Sequence, residues 1–97
     1  MIPGTTTKLS EELLASAATI NPTKDLVILS GTTALVNITP HFGGGFSGIL
    51  FIVPTNAAGV ATSAAGNIAV VVTMPQFRPT MFVYSKLQNK WYPGPIS

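Results

Sequence analysis

The sequence contains no cysteine and a single histidine, His41. The first absence excludes disulfides and thiolate metal sites; the second excludes an imidazole-rich metal site within one chain. Charge is scarce as well. Asp, Glu, Lys and Arg make up 8% of the 97 residues, against about 25% in ordinary soluble domains, and none of the four occurs between Asp25 and Arg78. Long apolar runs are also missing. The longest, Ile49–Val53 and Ile68–Val72, fall far short of the roughly 20 residues a membrane-spanning helix needs. The start, Met1-Ile2-Pro3-Gly4-Thr5, has no basic segment leading into an apolar stretch, so no signal peptide is expected.

These shortages exclude whole classes of function. Acid–base or nucleophilic chemistry needs a positioned base, an activated nucleophile or a metal. Glu11 and Glu12 are adjacent and point in different directions on a helix or a strand. Asp25 follows Lys24 in a turn, where a solvated pair is the ordinary outcome. His41 lies between Pro40 and Phe42, before three glycines, with no sequence partner to orient it as a base. The chain is therefore expected to be no enzyme, with no catalytic residue and no cofactor. One use of His41 survives: in a symmetric trimer, three copies could meet on the axis and bind a metal or anion. Gly43-Gly44-Gly45 lacks the helix start of a phosphate loop and is expected to be a turn. Net charge is +2, and of the five basic residues only Lys86 and Lys90 lie near each other. Nucleic-acid binding needs a cluster of such groups. Neither nucleic acid nor membrane is an expected partner.

A chain of this length makes one domain whose core stabilises it only marginally. Without disulfides or a metal, partner subunits are the remaining source of stability, and a surface covered by neighbours needs little charge. The sequence thus points to a protein of an assembly; the plainer alternative is a secreted β-domain with a Thr/Ser/Asn-rich surface.

What is present is mostly β pattern. Residues 1–16 divide from the rest as an extended arm (Met1–Lys8) followed by one short helix-like stretch. There Ser10 is placed to cap, and Leu9, Leu13 and Ala17 recur four apart. Residues 17–97 read as an all-β domain with a short tail after Pro93. Leu26–Leu29 is a continuous apolar run, expected of a strand buried on both faces. Ala34–Thr39 alternates, Ser47–Val53 is the strongest strand, and Asn67–Thr73 reads as another. Gln88-Asn89 should turn Lys90–Tyr92 back onto Thr80–Ser85. Seven or eight short strands at intervals of about 8–12 residues predict a compact antiparallel sandwich or barrel, jelly-roll-like, rather than a βαβ fold. Trp91 is expected to fill the end of the core. Tyr92 suits an interface as well as a core.

Four segments in order, Gly31-Thr32-Thr33-Ala34, Gly45-Phe46-Ser47-Gly48, Ala65-Gly66-Asn67-Ile68-Ala69 and Lys90-Trp91-Tyr92-Pro93, resemble a domain that recurs in virion proteins of tailed bacteriophages. The likeness spans roughly Ala17 to Pro93. Such domains occur in tail fibres and spikes and as small stand-alone head proteins. The resemblance implies a β-rich homotrimer on the outside of a particle. A single domain that starts with methionine suits a capsid decoration (cement) protein, made in the host cytoplasm and bound to the major capsid protein at the virion surface. The alternative it leaves open is a trimeric fibre or spike module that binds a host receptor or glycan through exposed aromatics near Phe42, Phe46 or Tyr92. A secreted carbohydrate-binding sandwich is a third possibility, disfavoured by the missing signal peptide. The residues expected at interfaces are Ile2, Pro3, Thr5 and Lys8 in the arm and Leu9 and Leu13 after it. His41, Phe42, Phe46, Phe77, Arg78 and Tyr92 complete the set.

Overall fold

A computed structural model of the chain describes residues 10–42 and 45–94. Nine strands follow one another: β1 (Glu11–Ala15), β2 (Thr19–Ile20), β3 (Leu26–Ser30), β4 (Asn37–Ile38), β5 (Gly48–Pro54), β6 (Val60–Ala61), β7 (Thr73–Met74), β8 (Thr80–Ser85) and β9 (Lys90–Pro93). Five make one sheet in the order β1-β3-β5-β8-β9; β2 pairs with β4 and β6 with β7. The fold is all-β, with no helix and no closed barrel among the described residues.

The apolar, β-branched sequence of β5 places it at the centre, hydrogen-bonded on both sides. Its alternate residues Leu50 and Ile52 face inward with Val27 and Leu29 of β3, Phe82 and Tyr84 of β8, and Trp91 of β9. Ile20, Leu35, Ile38, Val60, Ile68 and Met74 complete this core from the short pairs and the loops beside them. Those pieces cover one face of the sheet. Trp91 anchors the arrangement: its side chain is fully buried and its indole N–H donates to the Ile38 carbonyl at 2.9 Å.

Four sequence expectations change. Residues 11–15 are not helical; they form a strand parallel to β3, in the register Leu13↔Ile28. A helix of about two turns is marginal alone, and here pairing with β3 and packing of Leu14 on the core outweigh the i, i+4 pattern. The division at residue 16 thus falls between two strands, with β1 an integral part of the sheet.

The sheet is also mixed rather than antiparallel. Its β1–β3 and β3–β5 pairs run parallel, and only β5–β8 and β8–β9 run antiparallel.

The run Asn67–Thr73 does not make one strand. Ile68 forms a single bridge to Trp91, and Thr73–Met74 pairs with β6. Between them Thr62 takes over the backbone: its hydroxyl donates to the Val70 carbonyl and accepts the Val72 N–H, both at 2.9 Å. In Ala34–Thr39 the alternation breaks as well, since Leu35 and Ile38 are both fully buried. The N–H groups of Val36 and Asn37 share the Ala18 carbonyl, a bulge that shifts the side-chain parity. The hairpin expected near Gln88-Asn89 is present, with Asn89 at φ 54° and its N–H on the Ser85 carbonyl.

Candidate assembly interface

Strand alternation sends every second side chain of the sheet to the face opposite the core. Register defines the rows there. Leu13, Ile28 and Val53 form one row across β1, β3 and β5. Leu26, Phe51 and Met81 form the next, starting from Glu11. Ile49, Val83 and Tyr92 form the third, across β5, β8 and β9. Glu11 is the only charged side chain in these rows; Lys90 lies beyond the last of them, paired with Ser85. By strand spacing and rise the apolar patch covers roughly 300–400 Å², the size at which exposed patches on small proteins are often functional.

No described element lies over this face. Leu13 is 69% exposed, Ile49 48%, Tyr92 41% and Val83 39%. The others are half-buried. Sequence reasoning picked out Leu13 and Tyr92 but missed Ile49, Phe51 and Val83. The signal was available in the continuous runs Leu26–Leu29 and Ile49–Val53, which mark strands covered on both faces. The described residues cover only one.

The remaining expected residues scatter. Ile2, Pro3, Thr5, Lys8 and Leu9 lie outside the described residues, as do Gly43 and Gly44 of the glycine turn. Phe42 turns inward, its ring edge-on to Tyr84 and Trp91 at centroid distances of 5.9 and 5.8 Å. Gly48 makes room for that ring, since a Cβ there would lie 2.6 Å from it. His41 is also turned inward: its side chain is only 6% exposed, and Nε2 lies 2.9 Å from Oδ1 of the half-exposed Asp25. Nδ1 of the same ring is buried without a partner. In this placement the imidazole is engaged within its own chain. Phe46 and Phe77 are exposed beside opposite ends of β5, and Phe77 holds φ 60° while its N–H donates to the Pro54 carbonyl. Arg78 follows it, exposed.

Little else among the described residues resembles a site. Among the described residues no three His, Asp or Glu side chains come together to hold a metal ion. A shallow groove beside Leu14, Thr19, Ile20 and Asn21 has a volume of about 230 Å³, below the usual range of small-molecule sites, about 300–1,000 Å³. Glu12 lies nearby, and its pKa is lowered, chiefly because the Thr23 backbone N–H donates to its carboxylate. Comparison of the chain with family models, curated proteins and solved structures finds no significant match in any of the three.

Proposed function

We propose that the chain is a structural protein, not an enzyme, and that it works by packing the outer face of its five-stranded sheet against neighbouring subunits. The observation that carries this is the apolar outer face itself: three rows of large aliphatic and aromatic side chains with no described element over them. A neighbour laid on that face would supply the second layer of a sandwich between chains. It would also account for a chain with 8% charged residues, because surface buried in an interface needs no charge for solubility.

The setting that the four phage-like segments favour is the outside of a capsid, with trimers bound to the major capsid protein as decoration. Binding to the assembled shell and not to its dissociated subunits stabilises the shell by mass action. A fibre or spike module is the second possibility, supported by the exposed rings of Phe46 and Tyr92.

Light scattering over a dilution series tests the self-assembly. The expected mass is three times 10.1 kDa, or a multiple of it, and Ile49→Lys should lower it by placing a charge in the interface. A monomer that persists through micromolar concentration overturns assembly through this face. Sedimentation with empty phage heads stripped of decoration separates the two settings. Stoichiometric binding supports decoration, and its absence leaves the fibre module.

A further inference from the structure

The two edges of the five-stranded sheet differ. At β9 the edge is closed: the Trp91 N–H donates to the Asn67 carbonyl at 2.7 Å, and the Trp91 carbonyl accepts the Ala69 N–H at 2.9 Å. The next outward-facing residue, Pro93, has no N–H to offer. At β1 the Ser10 carbonyl, the Leu14 carbonyl and the Ser16 N–H all point to β3. Alternation then turns the backbone groups of Glu11, Leu13 and Ala15 outward, where no described residue meets them. All three are exposed.

We propose that this edge pairs antiparallel with β1 of a second copy of the chain, about a two-fold axis at Leu13. The sequence of the strand selects that register. With Leu13 opposite Leu13 of the second copy, Glu11 meets Ala15 and Glu12 meets Leu14, so no two carboxylates face each other. All outward N–H and carbonyl groups of both strands are then paired, in about six hydrogen bonds. Slipping the register by two residues one way places Glu12 on Glu12, and slipping it either way loses two of those bonds. Because the β9 edge is closed, the sheet cannot continue head to tail, and the contact closes as a pair rather than growing as a fibre. The axis runs through the sheet, so both outer faces lie on one side. The result is a ten-stranded sheet in which the two apolar patches merge across adjoining Leu13 side chains.

The contact uses the strand edge, not the outer face, and stands independently of the decoration proposal. Leu13→Pro tests it. Its N–H points away from β3, so proline removes an intermolecular donor while leaving the β1–β3 ladder intact; Leu13→Val, which keeps that N–H, is the control. In light scattering at matched concentrations, the wild-type chain count should be even and should halve in Leu13→Pro but not in Leu13→Val. It falls from two to one if β1 makes the sole contact, and from six to three if trimers also form through the outer face. A monomer or trimer whose mass the substitution leaves unchanged overturns the pairing, whatever becomes of shell binding. Should Leu13→Pro fail to fold, hydrogen exchange of the wild type decides. The Glu11, Leu13 and Ala15 amides should gain protection as concentration rises; exchange independent of concentration overturns the proposal.

Discussion

Phe82 and Val83 are consecutive residues of β8, similar in apolar character, yet their surroundings are opposite. Phe82 is fully buried, with its ring edge-on to Trp91 at 6.5 Å; Val83 stands 39% exposed between Ile49 and Tyr92. The same contrast holds along the whole sheet. Its inner face is closed by the chain's own loops and short strands, and its outer face is just as apolar and closed by nothing in the described chain. Composition alone does not separate the two faces. What separates them is that the inner one is completed within the described chain, whereas no described element covers the outer one.

Substitution of the two neighbours turns that contrast into a measurement. Phe82→Ala leaves a cavity in the core and should cost about 3–5 kcal/mol, a large share of the roughly 5–15 kcal/mol that holds a domain together. The loss should appear in urea unfolding at every protein concentration. Val83→Ala should cost less than about 1 kcal/mol at high dilution, because little around it is buried. At high concentration its cost should grow as the outer face becomes covered. Equal and concentration-independent costs would dissolve the distinction between the faces.

A smaller effect tests how the inner face is closed. Asn67 behaves as a surrogate strand. Its side-chain oxygen accepts the Ile38 N–H at 2.8 Å, its amide donates to the Ile38 carbonyl at 2.7 Å, and its own carbonyl accepts the Trp91 N–H. Asn67→Leu keeps the bulk and removes the two side-chain bonds, stranding the Ile38 N–H. The expected loss is about 1–3 kcal/mol, again independent of concentration. Protection of the Ile38 amide from hydrogen exchange should fall with it.

This division also explains what was legible beforehand. β5, β8 and β9 announce themselves through β-branched and aromatic residues and a local hairpin, so local rules suffice. The β1 strand does not: its sequence Glu11-Glu12-Leu13-Leu14-Ala15 has helical spacing, and only parallel pairing with the distant β3 makes it extended. The Asn67–Thr73 run misled for the converse reason. Its pattern suits a strand, but side chains from elsewhere, Thr62 and Asn37, take its backbone groups: the Asn67 N–H donates to the Asn37 side chain at 3.1 Å. The outer face was legible only indirectly, as runs too apolar for a sheet with one solvated side. Neither the mixed order of the sheet nor the inward turn of His41 and Phe42 leaves a local trace, since both depend on contacts between residues far apart in sequence.

Within β1 the neighbours Glu12 and Leu13 invert the ordinary sense of inside and outside, and this supplies the finest test of the comparison. Glu12 shares the inner side with Val27, whereas Leu13 shares the outer side with Ile28. A carboxylate on the core-facing side is tolerated because it lies at the sheet's margin, where the backbone N–H and hydroxyl of Thr23 both donate to it. Those bonds favour the charged form, so the folded pKa lies below the unfolded one. The group therefore contributes stability above the usual carboxylate range and loses that contribution as pH falls through the lowered folded pKa. Glu12→Gln should lower the urea midpoint at pH 7 by a small amount, and the gap between wild type and variant should close as the solution is acidified. The variant should leave the oligomer mass unchanged, because Glu12 meets only Leu14 across the proposed pair and neither its N–H nor its carbonyl faces the open edge. A change in mass without a change in the acid profile would mean that the inner side of β1, not its edge, meets the neighbouring chain.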